Sequence, residues 1–239
     1  MCQSCGCGDS AIIPVDLQER ILAGNERRAT HNRQHFETSG VLTVNLMGSP
    51  GSGKTALLEA TARAIGGRRR LGANSGDLAT EHDSNRLSEA GIPSAPITTG
   101  TACHLDAELV HRALHDFPGR DLDWLFIENV GTLVCPAVYD LGQAANVVAL
   151  SVTEGEDKPL KYPVMFRSAN LVLLTKTDLL PHLEVRTDAI TDALAHVMPE
   201  PRWISISART GEGLVGWLEW LDGLSSRRPS NQIGATAPQ

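Results

Sequence analysis

Residues 48–55 read Gly-Ser-Pro-Gly-Ser-Gly-Lys-Thr, and this stretch decides how the rest of the chain is interpreted. It matches the full pattern Gly-x-x-x-x-Gly-Lys-Ser/Thr of a phosphate-binding loop, or P-loop. The apolar run 41–47 precedes it as a buried strand, and residues 56–64 follow it with helical spacing. Backbone N–H groups of such a loop and the N-terminus of the next helix hold phosphate groups. The chain is therefore predicted to bind a nucleoside triphosphate.

Two side chains of the loop have distinct roles. Lys54 brings a full positive charge to the β- and γ-phosphates, and Thr55 offers a hydroxyl to Mg²⁺. The predicted nucleotide-binding residues of this segment are Gly48, Ser49, Pro50, Gly51, Ser52, Gly53, Lys54, Thr55 and Ala56. The alternative is a glycine-rich turn with a chance Lys-Thr pair, which the flanking strand and helix disfavour.

Length and charge limit the class of protein. The 239 residues suit one large α/β domain with appendages. A net charge of −7 argues against nucleic acid or an anionic membrane as the main partner. No apolar run approaches the roughly 18 residues that span a bilayer, and no signal peptide is visible. We expect a cytoplasmic protein whose thiols stay reduced.

Four segments follow from the composition. Residues 1–10 are rich in Cys and Gly and are predicted to be a flexible arm, and residues 11–39 are predicted to be a helical extension. In 40–224, helices alternate with strand-like runs, which indicates an α/β fold with a doubly wound, mostly parallel sheet covered by helices on both faces. These runs are 41–47, 95–98, 122–127, 146–151, 170–175 and 203–207. Residues 225–239 are predicted to be a disordered tail. Within the extension, Ile21, Leu22 and Phe36 are the expected apolar anchors.

Two later segments favour guanine as the base. Residues 175–178 read Thr-Lys-Thr-Asp and resemble the Asn-Lys-x-Asp guanine reader, with Thr175 in place of the usual Asn. The Asp178 carboxylate can accept both N1–H and N2–H of guanine, and the stem of Lys176 can cover the base. The Ser-Ala-Arg segment follows a later strand as a second loop of the guanine site, and its residues are Ser207, Ala208 and Arg209. GTP is the predicted nucleotide.

Carboxylates that follow predicted strands are candidates for Mg²⁺ and catalysis. Asp77 and Glu128 are expected to join Thr55 as magnesium ligands, because Mg²⁺ needs only one or two carboxylates besides phosphate. The predicted catalytic set is Lys54, Asp77 and Glu128, with Asp83 a weaker candidate. A capping or solvated carboxylate is the alternative for Glu128. Because the assigned loops supply no obvious glutamine or arginine, we expect slow intrinsic hydrolysis.

All five cysteines fall into two groups. Cys2, Cys5 and Cys7 form Cys-x-x-Cys-Gly-Cys, where three thiols on a flexible arm favour a soft or borderline metal such as Ni²⁺, Cu⁺ or Zn²⁺. Spacing does not choose between nickel and zinc. Cys103 and His104 are expected to open a helix, and Cys135 follows the strand that carries Glu128.

This second group is predicted to lie at the same sheet edge as the γ-phosphate, with a metal shell completed across a two-fold axis. The alternative is two buried cysteines and a helix-capping histidine. The spacings of His31 with His35 and of His111 with His115 are interpreted as solvated helix faces.

Several motifs together resemble one family. They are Cys-x-x-Cys-Gly-Cys at 2–7, Asn32-Arg33 with Phe36, Gly-Thr-Ala-Cys-His-Leu-Asp-Ala at 100–107, Glu-Asn-Val-Gly at 128–131, Val-Cys-Pro at 134–136, and the run 151–163. The chain resembles the HypB family over residues 1–224. HypB proteins are SIMIBI-class P-loop GTPases that incorporate nickel during [NiFe]-hydrogenase maturation.

The resemblance implies a homodimeric GTPase that delivers nickel to the hydrogenase large-subunit precursor with a HypA-like nickel/zinc metallochaperone. It implies that Cys2, Cys5 and Cys7 bind nickel, and that Cys103, His104 and Cys135 bind Ni²⁺ or Zn²⁺ near the dimer interface. It also implies that Lys158 reaches the neighbouring subunit's nucleotide. Two positions depart from the family: Thr175, and the segment 68–74, which makes a poor strand where the family has an apolar one.

Two other functions stay open at this point. The chain could be a nickel or zinc store, although it has no histidine-rich run. It could also serve another nickel enzyme, such as urease or carbon monoxide dehydrogenase.

Overall fold

A computed structural model describes residues 15–77, 82–99, 104–115, 117 and 121–226. The strands are β1 (Leu42–Met47), β2 (Leu71–Asp77), β3 (Ser94–Thr98), β4 (Trp124–Glu128), β5 (Ala145–Ser151), β6 (Leu171–Thr175) and β7 (Trp203–Ile206). The α-helices are α1 (Val15–Thr38), α2 (Lys54–Ile65), α3 (His82–Glu89), α4 (Ala107–His115), α5 (Lys158–Lys161), α6 (Pro163–Ser168), α7 (Thr187–Val197) and α8 (Leu214–Ser226). Short 3₁₀ helices cover Cys135–Ala137 and Thr177–His182.

The strands form one parallel sheet in the order β3-β2-β4-β1-β5-β6-β7. β1 lies between β4 and β5, so the chain winds outward from β1 in both directions. Ligands of such sheets bind at this switch point, beyond the carboxyl ends of the strands. The predicted doubly wound parallel fold is confirmed, and it places the P-loop in the middle of that edge.

Apolar side chains fill both faces of the sheet. One core is built from β-strand residues such as Val44 and Phe126 with Leu58 of α2 and Trp217 of α8. On the other face, α6 and α7 pack over β5 and β6, and α1 and α4 pack over β4. The central strands are buried on both faces, which explains why they read as continuous apolar runs.

β2 shows how a sequence that looks like a poor strand is buried in a sheet. A Cβ atom added to Gly72 would lie 2.7 Å from both Phe117 and Leu122. A Cβ atom added to Gly76 would lie 2.9 Å from Leu105. The large apolar side chains that cover β2 thus come from elsewhere in the chain, and they leave room only for small residues in the strand. The departure at 68–74 therefore does not remove the strand.

α1 is held by buried groups near its C-terminal half. Phe36 is 2% exposed, whereas Ile21 is 43% exposed, so the prediction that Ile21 is an anchor was wrong. Buried Asn32 supplies the missing anchor, because its Nδ2 donates to the carbonyls of Ala107 (2.8 Å) and Leu141 (3.1 Å). A polar residue inside the contact between α1 and α4 thus fixes how α1 lies on the domain.

Two helix ends differ from the sequence expectation. α4 begins at Ala107 rather than at Cys103 and His104, because the Asp106 carboxylate accepts the Leu109 N–H at 2.8 Å and caps the helix there. α8 extends to Ser226, two residues past the predicted domain boundary. The predicted arm (1–10), Cys103 and most of the predicted tail (227–239) lie outside the described residues.

Candidate nucleotide and metal site

The loop between β1 and α2 has the backbone that a phosphate cradle requires. Gly48, Gly51 and Gly53 adopt φ values of 145°, 73° and 93°. A Cβ atom on Gly48 would lie 2.3 Å from the carbonyl oxygen of Ala149. Only glycine fits there without moving β5, so the loop's glycine content follows from geometry as well as from chemistry.

Lys54 lies folded into this loop. Its Nζ donates to the carbonyl oxygens of Gly48 and Ser49, both at 3.2 Å. Burial lowers the pKa of Lys54, and the carboxylates of Glu128, Asp83 and Glu154 act in the opposite direction. The loop therefore holds a desolvated ammonium group at its centre, where it can act on phosphate oxygens.

Glu128 faces Lys54 and Thr55 from the end of β4. Thr55 Oγ1 donates to Glu128 Oε1 at 2.8 Å. Glu128 Oε2 is buried and has no hydrogen-bond partner within the described part of the chain. Burial raises the pKa of Glu128 to about 7, against the opposing effect of Lys54. A hydroxyl and a carboxylate oxygen that still lacks a partner are hard oxygen donors, so these residues fit Mg²⁺.

Asp77, the other predicted carboxylate, ends β2 at the same edge of the sheet, in register with Thr98 of β3. Its side chain lies outside the described part of the structure, so its role stays a prediction.

A cavity of about 630 Å³ opens over this centre. One wall is formed by residues 50, 51 and 53–56 of the P-loop and α2, and another by residues 128–132. The third wall contains Asp83 and Arg86 of α3. Arg86 pairs with Glu59 of α2 at 2.8 Å and approaches Asp83 at 3.7 Å. The sequence does not predict this arginine at the site, because Arg86 lies within a helix and outside the motif loops.

Glu154 is a second residue that sequence reasoning missed at the P-loop. Ser49 donates its hydroxyl to the Glu154 carboxylate, and Ser151 donates its backbone N–H at 3.0 Å. Lys158 Nζ lies 3.1 Å from the same carboxylate and 5.2 Å from the ring of Tyr162. The run 151–163 thus contacts the P-loop directly through Glu154.

The predicted base-binding residues surround a separate cavity of about 300 Å³ next to Gly53 and Ala56. Lys176, Asp178, Ala208 and Arg209 line it, and Ser207 Oγ donates to Asp178 at 2.6 Å. That hydrogen bond, followed by the charge of Arg209, holds the pKa of Asp178 below its usual range. The lowered pKa favours the ionised form of Asp178, and its predicted role in binding guanine stays a prediction.

Thr175 has a structural role in this region. Its Oγ1 donates to the carbonyl oxygen of Ser52 at 2.6 Å, so it ties the end of β6 to the P-loop. Lys176 follows with a φ of 61°. This left-handed backbone conformation turns the residue away from the direction of β6. The loop that follows β6 is therefore still attached to the P-loop, although Thr stands in place of the usual Asn at position 175.

The segment after Glu128 connects the phosphate cavity to the predicted metal ligands. A Cβ atom on Gly131 would lie 2.8 Å from Pro50 Cγ, so this segment packs directly on the P-loop. Asn129 Nδ2 donates to Asn45 at 3.0 Å, and Asn129 Oδ1 lies 3.5 Å from the backbone nitrogen of Leu105. One residue therefore contacts both the central strand and the neighbour of His104.

Two of the predicted metal ligands, His104 and Cys135, belong to the described residues. The ring of His104 stacks on Tyr139, with centroids 3.9 Å apart and an interplanar angle of 17°. Cys135 begins the 3₁₀ turn Cys135–Ala137 and is half-buried. Burial lowers the pKa of His104, with Asp106 opposing, which favours the neutral ring that binds metals.

Within the described ranges, no group of three or more His, Cys, Asp or Glu side chains is arranged to hold a metal ion. Cys2, Cys5, Cys7 and Cys103 lie outside those ranges, so their predicted metal sites stay predictions. The part of the chain that the structure describes also contains no helix long and apolar enough to cross a membrane.

The fold and the loop define a P-loop nucleotide-binding protein. Residues 42–204 match the family model for the CobW/HypB/UreG nucleotide-binding domain. HypB hydrogenase maturation factors from Azotobacter chroococcum and Escherichia coli K12 are 48% and 45% identical to the chain. These matches cover 94% and 91% of this chain, and 74% of each relative. The chain belongs to the HypB family of hydrogenase maturation factors.

Solved structures agree with this assignment. HypB from Archaeoglobus fulgidus aligns with a TM-score of 0.79 at 39% identity, and the match covers 85% of this chain and 100% of that one. HypB from Helicobacter pylori in complex with nickel aligns with a TM-score of 0.81 at 35% identity, covering 85% and 95%.

The buried Glu128 carboxylate predicts a pH-dependent stability difference in the nucleotide-free protein. Its pKa is raised on folding, so the protonated form favours the folded state, and stability from this group is lost as pH rises through about 7. Glu128→Gln keeps the shape without the charge. We expect the variant to be similar in stability at pH 5 and more stable by about 2 kcal/mol at pH 8.

Denaturant unfolding of both proteins across this pH range measures the difference. Glu89→Gln, on the exposed surface of α3, is the matched control and should show no such trend. If the difference in free energy of unfolding between wild type and Glu128→Gln does not change with pH, the Glu128 carboxylate is already solvated in the folded protein.

Proposed function

We propose that the chain is a GTP-hydrolysing nickel metallochaperone that delivers nickel to the [NiFe]-hydrogenase large-subunit precursor during maturation. The observation that carries the proposal is the single segment, residues 128–135, that runs from the phosphate cavity to a predicted nickel ligand. Membership of the HypB family and the nickel complex of the H. pylori relative support the choice of cargo.

For hydrolysis, Lys54 neutralises charge on the transferred phosphoryl group, and backbone N–H groups of the P-loop orient it. Thr55 and Glu128, with Asp77 expected to join them, would hold Mg²⁺, which screens the phosphate charge and fixes the oxygens. Arg86 is a cation in cis at the cavity wall, bound to Glu59. We expect slow GTP hydrolysis as long as Arg86 remains paired with Glu59.

For nickel handling, we assign Cys2, Cys5 and Cys7 to one site and Cys103, His104 and Cys135 to another that takes Ni²⁺ or Zn²⁺. A change in the position of residues 128–132 with the γ-phosphate alters the surroundings of Cys135 and His104. Thermodynamic linkage then requires that nickel also alters nucleotide affinity. A homodimer, a HypA-like partner and a cytoplasmic location belong to the same proposal.

A second candidate is service to urease. A relative from Helicobacter hepaticus, named hydrogenase/urease maturation factor HypB, is 42% identical over 172 residues and covers 70% of this chain. Both activities are therefore worth measuring in the test of nickel delivery.

Guanine recognition has a direct test at Asp178. Asp178→Asn replaces one acceptor by a donor, which suits xanthine, whose 2-position carries a carbonyl instead of an amino group. We expect GTP affinity to fall about 100-fold and XTP affinity to rise, because charge-assisted hydrogen bonds are exchanged. Titration with fluorescent nucleotides measures both constants. Unchanged GTP affinity would place the base elsewhere, and Glu184→Gln, outside the cavity, is the control.

Nickel delivery is tested in a strain that lacks its own copy of the protein. Lys54→Ala should abolish hydrogenase maturation with or without added nickel, because nucleotide binding is lost. Cys135→Ala should lose maturation in limiting nickel and regain it when nickel is added. Hydrogenase and urease activities are measured together. Full maturation by Lys54→Ala would favour the storage alternative, and rescue of urease alone would favour the other client.

A further inference from the structure

Four of the eight histidines lie on the two helices α1 and α4, which pack against each other. His31 and His35 belong to α1, and His111 and His115 belong to α4. Each pair is spaced i, i+4, so both members lie on one side of their helix. The spacing predicts solvated faces, and His31, His35 and His115 are exposed. The structure also brings the ring of His111 into contact with the rings of His31 and His115.

The two rings of α4 stand at the separation of two ligands of one ion. His111 Nε2 lies 3.3 Å from His115 Nε2. Two nitrogens bound to one tetrahedral zinc ion at 2.0–2.1 Å are about 3.4 Å apart. The ring centroids are 4.8 Å apart, the planes are perpendicular, and the two Nε2 atoms share a hydrogen bond, so a bound metal ion would take the place of the shared proton.

A third ring lies beside this pair. The centroid of His31 is 5.1 Å from that of His111, with an interplanar angle of 70°. His31 comes from α1, so it reaches the pair from across the helix contact. It is not yet arranged as a third ligand, but it is the nearest imidazole that can become one.

The charges around the pair permit a cation. Arg28 lies nearby, but its guanidinium is bound to Glu108 at 2.6 Å, and Glu108 also pairs with Arg112 at 3.1 Å. Burial, followed by the positive charge of Arg28, lowers the pKa of His111. This direction favours the neutral ring, which is the form that binds metals.

We propose that His111 and His115 chelate a borderline transition-metal ion, Ni²⁺ or Zn²⁺, with water and a rotated His31 completing its shell. Imidazole nitrogens favour these ions over Mg²⁺ or Ca²⁺, which take oxygen ligands. The site uses none of the predicted thiol ligands and none of the residues that line the nucleotide cavity, and it does not depend on the proposed function.

Occupancy of this site joins α1 to α4. α1 is the helix that leads from the N-terminal segment, and α4 begins three residues after His104. A metal held by His111, His115 and His31 thus adds a bond across a contact that already contains the Asn32 hydrogen bond and the Arg28–Glu108 ion pair.

The test compares the full chain with His111→Ala/His115→Ala. The matched control is His182→Ala/His196→Ala. It removes two exposed histidines, one in the 3₁₀ helix after β6 and one in α7. Equilibrium dialysis against Ni²⁺, and separately Zn²⁺, is carried to metal concentrations beyond those that fill the thiol sites, so that every bound equivalent is counted. We expect the α4 variant to bind one equivalent fewer than the wild type and the control. His31→Ala should weaken that equivalent about tenfold.

A second readout uses the unmodified protein. Imidazole nitrogen NMR with Zn²⁺ should shift His111 and His115 together, at the same equivalent that dialysis counts, even if the double variant folds poorly. Equal stoichiometry in all proteins, or loss of the same equivalent in the control, would overturn the proposal. Unshifted His111 and His115 signals at saturating zinc would also overturn it.

Discussion

The hydrogen bond between Thr55 and Glu128 is the interaction on which the rest of the site depends. It joins the first turn of α2 to the end of β4 and buries a carboxylate beside the Lys54 ammonium. This carboxylate is unfavourable in the nucleotide-free fold, because it is desolvated and one of its oxygens lacks a partner in the described chain. Such unfavourable groups are retained where a ligand later compensates them.

From that point, one short segment extends the effect of the nucleotide. Residues 129–132 line the phosphate cavity and pack on Pro50, and the chain then enters the turn that begins with Cys135. Asn129 contacts the backbone next to His104, and Tyr139 stacks on the His104 ring. A displacement of this segment therefore changes the surroundings of both His104 and Cys135. Packed segments of this kind move between discrete arrangements rather than deforming smoothly.

The position of a functional residue could be predicted from the sequence wherever that residue directly follows a recognisable strand. β1, the P-loop and α2 are contiguous, and the base-binding residues follow directly on β6 and β7, so their positions could be predicted. β2 could not be recognised from its own residues, because Leu105, Phe117 and Leu122 supply the apolar surface that covers it. Arg86 was missed for a similar reason: its place at the cavity depends on a pairing with Glu59 of another helix. The same holds for the contact between His31 and His111, which requires the packing of α1 on α4.

The central claim is that the nucleotide state and metal affinity are coupled through residues 128–135. The most direct measurement is the nickel dissociation constant of the full chain with GDP and with a non-hydrolysable GTP analogue, together with the affinity of each nucleotide with and without nickel. We predict a difference of about fivefold or more between the two states, and the same factor in the reciprocal experiment. Nickel affinity that is identical in both nucleotide states, with nucleotide affinity unaffected by nickel, would contradict the account.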